Sequence, residues 1–357
     1  MVIINAESGT KNENINILIK RETSSPSKKR NEKHASRLAA NLTLSLAAMW
    51  SLAVFLLVFL IKYPEMAADS VRRALGAAAS GLVPSLFPFL VLVNVIIGTG
   101  FADMIANPLG KTFSLLFGIN GTGAAAFLVG AVGGFPSGAV MASALFENGK
   151  LTREEAERLC AISNNPGIAF CTGGIGISLY DSASLGRLVW LCCIVSSVLV
   201  GAVSGRIAAR RGESPSTIEQ KTTRERMTPG KAAKELCGAV VKACGTMLNI
   251  CAFVVFFTVL SDVISAVLTE GAGRLAAAVA VSFCEITSAA RLASGFGLPV
   301  AIPLTTFAAG FSGICVHMQV SAATGGRLGM RGFFFRKLVS GVVAAGLAAL
   351  SCLVIRS

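Results

Sequence analysis

Charged residues are scarce in this sequence. Asp, Glu, Lys and Arg make up 14% of the 357 residues, and tyrosine, tryptophan and histidine occur only twice each. A soluble domain normally carries about 25% charged residues, so this composition excludes an ordinary soluble fold. The sequence also contains neither an HExxH zinc motif nor a GxSxG nucleophile elbow, and no paired catalytic carboxylates stand out. We therefore expect no catalytic residues and no enzyme activity.

Metal chemistry is also weakly supported. The ten cysteines are scattered without the paired spacing that metal ligands show. Most of them lie in apolar segments, where cysteine usually serves as a small buried hydrophobe. We expect no metal site and no cofactor, and the binding of a cation or a proton stays open.

Apolar runs dominate what is present. The chain is 53% hydrophobic, with a mean hydropathy of +0.68. Several runs approach the roughly 20 residues needed to cross a bilayer: 38–61, 81–100, 188–205, 246–268 and 335–355. The net charge of +13 lies mainly in loops beside these runs. The positive-inside effect explains that charge better than nucleic-acid binding does, so the expected partner is the lipid bilayer.

Residues 1–37 differ from the rest, since eight Lys and Arg stand among Asn, Ser, Thr and Glu. Such a segment cannot bury a core, and we interpret it as a disordered basic cytoplasmic tail. The apolar run 38–61 exceeds the 7–15 residues of a signal-peptide core. We expect it to stay as the first transmembrane helix, with nothing cleaved.

Two apolar segments are interrupted, 121–147 at Gly133–Gly138 and 273–297 at Cys284–Ser288. If both are re-entrant hairpins, 25 of the 32 lysines and arginines lie on the cytoplasmic side. If both cross the membrane, only 15 do. The positive-inside rule therefore favours two re-entrant hairpins.

The predicted fold is an all-α polytopic membrane protein with about seven transmembrane helices and two re-entrant helical hairpins. The N-terminus is cytoplasmic. The predicted spans are 38–61, 81–100, 158–180, 185–206, 246–268, 299–322 and 335–355, with surface helices 64–79 and 231–245. The predicted regions are the tail 1–37, the first helix 38–61, repeat one 62–206, a cytoplasmic linker 207–230, repeat two 231–334 and the last helix 335–357.

The two halves resemble each other. Phe101-Ala102-Asp103 ends one span as Leu260-Ser261-Asp262 ends another, and a hairpin with a serine near its tip follows each. Three spans separate the starts of the repeats, so the second copy must be inverted. An inverted-topology repeat is typical of secondary transporters.

The candidate site lies at four helix breaks, because irregular backbone within a membrane is tolerated only inside protein or beside water. In the first hairpin and the third span, the candidates are Ser137, Gly138, Asn164 and Asn165. The half-helix that starts at Ser137 points a positive dipole end inward, where an anion binds well. The alternatives are a tightly packed glycine turn and a kinked packing helix.

In the second half, the candidates are Glu285, Thr287, Ser288, Arg291 and Ser312. Glu285 is the most informative, because a carboxylate in an apolar hairpin is costly and usually functional. We expect Glu285 to be protonated, paired with Arg291 or bound to a cation. Pairing with Arg291 is the alternative in which Glu285 has only a structural role. His317 and Gln319 lie further along the sixth span, where a lone histidine is more often bonded to neighbours than functional.

Three motifs carry a family resemblance: Gly133-Gly134-Phe135-Pro136-Ser137-Gly138-Ala139, Gly149-Lys150-Leu151-Thr152-Arg153-Glu154-Glu155-Ala156 and Ser163-Asn164-Asn165-Pro166-Gly167. Over roughly residues 40–350 the sequence resembles the sporulation integral membrane protein YlbJ family, with its nucleoside-recognition Gate domains. Those domains are similar to the core of concentrative nucleoside transporters, in which two hairpins and two unwound spans surround the substrate. By position, Ser137, Asn164 and Asn165 match the first hairpin and its span, and Glu285, Thr287 and Ser288 match the second tip.

The first tip lacks the Gln and Glu with which nucleoside transporters hold base and ribose. The resemblance therefore implies a role in sporulation, a place in the mother-cell-derived outer forespore membrane, and dipicolinate, an aromatic dicarboxylate, as cargo. Two half-helix starts near Ser137 and Ser288 would suit its two carboxylates. The function predicted is transport of a small anion; the alternatives are a nucleoside-type symporter and a Gate-type membrane factor that transports nothing. A homo-oligomer stays open.

Overall fold

The computed structural model describes residues 43, 46–47, 49–99, 101–216 and 228–356. Every regular element in those ranges is helical, which confirms the predicted all-α class. The described residues up to Pro64 belong to one compact unit, and the described residues from Glu65 onward belong to another. We number the helices in chain order: α1 Met49–Lys62, α2 Pro64–Ala77, α3 Val83–Thr99, α4 Phe101–Phe117, α5 Gly123–Gly133, α6 Ser137–Glu147, α7 Arg153–Ser163, α8 Phe170–Tyr180, α9 Ala183–Arg210, α10 Pro229–Ala272, α11 Arg274–Cys284, α12 Ile286–Ala293, α13 Leu298–Phe311, α14 Gly313–Ala323 and α15 Met330–Arg356.

Five helical stretches in the described ranges are long and apolar enough to cross a membrane. They are Pro64–Thr99, Ala183–Arg210, Pro229–Ala272, Leu298–Ala323 and Met330–Val354. Each contains one predicted span, namely 81–100 (except its last residue), 185–206, 246–268, 299–322 and 335–355 (again except its last residue). The stretch Leu298–Ala323 has 67% of its apolar window buried, against 17% for Pro64–Thr99. The broken stretch Leu298–Ala323 therefore lies in the protein interior, whereas most of the apolar window in Pro64–Thr99 is not buried.

The other two predicted spans are not among these five. Much of 38–61 lies outside the described residues, and the part that is described, α1, has 14 residues. The predicted span 158–180 is divided into α7 and α8 by an extended segment after Ser163. The count of seven spans and the re-entrant course of the hairpins stay predictions.

The two predicted surface helices are not separate elements. A π-helical turn at Ala78–Leu82 joins α2 to α3 without a loop. Residues 231–245 belong to α10, one helix of 44 residues. At 1.5 Å per residue this helix is about 66 Å long, roughly twice the hydrocarbon thickness. The prediction of distinct surface helices was wrong because both junctions keep unbroken helix-forming sequence rich in Ala, Leu and Val.

Each half places a pair of short helices beside a broken span. Helices α5 and α6 pack on each other and on α7, and α11 and α12 pack on each other and on α13. The last helix, α15, packs extensively on α13 and also contacts α9 and α7. The chain therefore brings both hairpins and both broken spans into one helical unit.

Candidate functional site

The first hairpin crosses its broken span at glycine. Gly130 on α5 and Gly138 on α6 both face the main-chain oxygen of Ser163, so closely that neither position has room for a Cβ atom. A Cβ on Gly134 would lie 2.7 Å from the nitrogen of Gly167. Glycine is therefore required here by the close approach of two backbones, and it brings the first tip onto the break between α7 and α8.

The second hairpin crosses its broken span in the reverse sense. Here the glycine belongs to the span, since a Cβ on Gly313 would lie 2.8 Å from the oxygen of Cys284 at the end of α11. The preceding residue, Ser312, has a φ of 75° and ends α13. This positive φ turns the chain between α13 and α14 and leaves Ser312 fully buried, with its hydroxyl donating to the oxygen of Ala309 at 3.3 Å.

Both tips line one small cavity of about 30 Å³. The first half contributes Phe135, Gly167 and Phe170, and the second half contributes Glu285, Thr287 and Gln319 as its polar groups. The remaining lining is apolar and comes from α3, α10, the second tip and α14: Leu82, Leu86, Ile250, Val254, Ile286, Cys315 and Val316. A volume near 30 Å³ matches the share of one water molecule in the liquid. Residues of both halves therefore line this small cavity.

The two broken spans also touch directly. The hydroxyl groups of Tyr180 on α8 and Thr305 on α13 lie 2.6 Å apart. Thr305 is fully buried. This hydrogen bond links the two broken spans at a point outside the hairpins.

Glu285 is the cap of its own half-helix. Its two carboxylate oxygens accept hydrogen bonds from the main-chain N–H groups of Thr287 at 2.8 Å and Ser288 at 2.7 Å, and its side chain is buried. A carboxylate at this position also complements the positive end of the α12 dipole. The sequence offered a protonated, an Arg291-paired or a cation-bound Glu285, and the geometry is a fourth arrangement, a carboxylate held by backbone amides.

Arg291 bonds elsewhere, so the alternative in which it pairs with Glu285 is not the arrangement in this structure. Its guanidinium donates to Asp262 on α10 at 2.8 Å. The other oxygen of Asp262 accepts from Arg73 at 2.8 Å and Ser70 at 2.7 Å, both on α2. Arg291 faces outward from α12, one turn past the buried tip, and for this reason meets the neighbouring helices and not Glu285. Asp262 thereby joins three helices on one face of the molecule.

The two asparagines at the first break differ sharply. Asn165 donates to the oxygen of Ile162 at 2.7 Å and accepts from the hydroxyl of Ser197 on α9. Asn164 is equally buried, yet neither its side-chain nitrogen nor its side-chain oxygen has a partner in the described part of the chain. Asn165 therefore secures the break, and Asn164 has unused hydrogen-bonding groups.

The first tip lacks a side-chain cap. Pro136 precedes α6, and no side chain accepts from the first amides of this helix. Ser137 and Gly138 are buried at its start. The N-terminus of α6 therefore keeps the positive end that the sequence predicted, whereas Glu285 occupies the corresponding end of α12.

Sequence reasoning did not single out Lys337, although this residue lies inside the predicted span 335–355. The side chain is fully buried on α15, and its Nζ donates to the main-chain oxygen of Asn164 at 2.9 Å. The ammonium thus lies at the C-terminal end of α7, where a helix dipole favours a cation. The signal in the sequence was its place inside an apolar run that continues to residue 355.

The remaining candidates fall outside this arrangement. The ring nitrogen Nδ1 of His317 lies 2.6 Å from the oxygen of Gly313, one turn earlier, and the ring packs between Phe311 and Phe333. Among the described residues, no group of three His, Cys, Asp or Glu side chains is placed to hold a metal ion. Of the repeat motif, the side chain of Asp103 lies outside the described part.

Comparison with known proteins gives one clear relative. No protein-family profile matches the chain, and no solved structure does. The "Sporulation integral membrane protein YlbJ" of Bacillus subtilis (strain 168) is 26% identical over 326 residues, which covers 83% of this chain and 80% of the relative. The match covers most of both chains, and it supports an integral membrane protein of sporulation. It confirms the resemblance to the YlbJ family that the three motifs around Gly133, Gly149 and Ser163 indicated.

Proposed function

We propose that this protein moves a small polar, anionic metabolite across a membrane during sporulation. The observation that carries the proposal is the meeting of two hairpin tips and two helix breaks around one cavity. Broken helices that meet from two inverted repeats are the usual setting of a transporter site. Polar side chains of the second half and the glycine-containing break of the first half line the same cavity.

The cavity is smaller than a metabolite. A volume of about 30 Å³ holds one water and no metabolite. Passage therefore requires the tips to separate. Such a movement would leave intact the hydrogen bonds within each tip, because Glu285 is bonded only to amides of its own helix among the described groups.

Dipicolinate is the cargo we propose. It rests on the resemblance to the YlbJ family and on the sporulation role named for the Bacillus subtilis relative. The uncapped start of α6 supplies one positive end for a carboxylate. The second carboxylate cannot use the start of α12, since Glu285 already accepts those amides.

Flux into proteoliposomes tests the proposal. The full-length protein should release or admit dipicolinate faster than it admits uridine, and empty liposomes should show neither. Thr287→Val removes a cavity hydroxyl with little change in shape and should reduce flux. Thr246→Val is the matched control, because Thr246 does not line the cavity and its hydroxyl bonds within its own helix. Equal flux with and without protein would reject transport, and faster uridine flux would favour the nucleoside-type symporter.

A membrane factor that transports nothing is the second candidate, and the small cavity favours it. Such a protein would keep the tips closed permanently. A disulfide that locks the tips would then leave sporulation unchanged, whereas a transporter would lose its function. We also propose the outer forespore membrane as its place, which a fluorescent fusion imaged in sporulating cells would test.

A further inference from the structure

Lys337 is a buried cation without an acidic partner in the described part of the chain. Its side chain has no solvent exposure, and the one hydrogen bond it makes goes to the main-chain oxygen of Asn164. The titratable groups within electrostatic range include the thiols of Cys160 on α7 and Cys193 on α9 and the imidazole of His317 on α14, and none of these is a carboxylate. A buried ammonium is strongly disfavoured unless an anion compensates it. No carboxylate of the described chain does so.

The side chain beside it is also unsatisfied. Asn164 is fully buried, and its carboxamide has two unused polar atoms. Buried polar groups in native proteins are nearly always bonded, and an exception commonly marks an absent ligand or ion. The neighbouring Asn165 shows that the fold can satisfy an asparagine at this break when it needs to.

The surroundings are polar as well as buried. Ser196 on α9 and Ser340 on α15 share a hydrogen bond of 2.8 Å one turn from Lys337. Helices α7, α9 and α15 therefore enclose hydroxyl groups, a carboxamide and an ammonium in the interior. Hydrogen-bond donors prevail here, in contrast to the carboxylate at the second tip.

We propose that Lys337 and the carboxamide of Asn164 form a binding site for a carboxylate group. The ammonium has three donors, of which Asn164 O takes one, and the Nδ2 group of Asn164 adds two more. Hydrogen bonds from an ammonium to a carboxylate are charge-assisted and are stronger than those between neutral groups. The site rests on the proposed function, in which the carboxylate belongs to the cargo. It supplies the second anion contact that the start of α12 does not.

Two neighbouring substitutions test the site without any ligand. Asn164→Asp places a fixed carboxylate where the bound one would be, so the purified full-length protein should melt at a higher temperature, by roughly 2–4 °C. Asn165→Asp is the matched control, because it removes the donor to Ile162 and should lower the melting temperature. If Asn164→Asp also lowers it, Asn164 does not face an uncompensated cation and the site is rejected.

Ligand binding gives the second test. Acetate and dipicolinate should each raise the melting temperature of the wild-type protein, and chloride at equal ionic strength should not. Lys337→Met should weaken carboxylate binding about tenfold or more. Lys337→Arg should retain part of it, and Ser351→Ala, on the same helix but about four turns away, should retain nearly all. A chloride effect equal to that of acetate would reject a carboxylate site.

Flux and binding separate the two proposals. If carboxylate binding depends on Lys337 but proteoliposomes show no flux, the binding site is supported and transport is rejected. If Lys337→Met does not change the flux of dipicolinate, transport is supported and the binding site at Lys337 is rejected.

Discussion

The two hairpin tips share a backbone plan and differ in chemistry. The start of α12 is closed by Glu285, whose oxygens lie 2.8 and 2.7 Å from two amides. The start of α6 has no side-chain cap. The two tips also differ in charge. The second tip carries a carboxylate, and the first tip lies near the broken span whose main chain accepts a hydrogen bond from Lys337. Repetition of a fold therefore does not repeat its site, and one tip alone retains amides for a ligand.

The close contacts are reversed in the same way. The hairpin supplies the glycines in the first half, at Gly130 and Gly138, whereas the broken span supplies Gly313 in the second. Both solutions achieve backbone contact between tip and break. The first has two such positions and so is the tighter crossing.

The largest effect is expected at that crossing. Gly130→Ala should sharply reduce the amount of folded protein in the membrane, because the new Cβ meets the oxygen of Ser163 and neither backbone can move away. Overpacking a rigid contact costs about 1–3 kcal/mol and sometimes more. Gly245→Ala is the control, since nothing lies within 4 Å of a Cβ there. Equal abundance of the two variants would show that the crossing is not tight.

Removal of the cap should have the next largest effect. Glu285→Ala leaves the amides of Thr287 and Ser288 without their acceptor, and loss of an N-cap costs about 0.5–2 kcal/mol. The melting temperature should fall, and the second tip should then resemble the first. Glu154→Ala, an exposed acidic residue in the first turn of α7, serves as the control. An unchanged melting temperature in Glu285→Ala would contradict the cap.

The sequence predicted much of this fold, because spans and breaks are local patterns. The length of the apolar runs predicted the five long helical stretches. Glycine and proline residues predicted the first tip and the break at Ser163–Gly167. Helix α10 was divided wrongly because a helix need not end where its apolar run ends.

The site was less predictable, because its contacts join residues distant in sequence. Glu285 was singled out for its cost, but Glu is an unusual N-cap, so its role was missed. The partner of Arg291 lies 29 residues away on another helix. Lys337 was hidden among basic neighbours, and only its complete burial distinguishes it from a loop charge.

The anchoring of the second tip should contribute a smaller effect. Asp262→Asn weakens the bonds to Arg73 and Arg291, both about half exposed, so we expect a loss of about 1 kcal/mol. Asp69→Asn is the control, because its pairing with Arg72 is exposed on both sides. Thermal unfolding of the two variants measures the difference, and equal stability would mean that Asp262 does not hold α12 to α2.

The smallest effect concerns the starts of the two broken spans. Helix α7 begins with a capping box in which Glu155 accepts from the amide of Thr152 at 2.9 Å. Glu155 also accepts from Asn120 at 2.8 Å and from Ser216. Helix α13 starts after Gly297 with no side-chain cap. Only the first broken span therefore has a titratable group at its start.

Burial alone would raise the pKa of Glu155, but the hydrogen bonds from Thr152, Ser216 and Asn120 outweigh it, and the pKa is lowered from 4.5. A carboxylate with a lowered folded pKa stabilises the protein above its unfolded pKa, and this stability is lost as the pH falls through the lower, folded value. The melting temperature of the wild type should thus exceed that of Glu155→Gln by a constant amount between pH 7 and about pH 5. Below about pH 4.5 the difference should shrink, because the protonated side chain then resembles glutamine. A difference that already shrinks between pH 7 and pH 6 would mean that the pKa is raised, and that the bonds at the start of α7 do not compensate its burial.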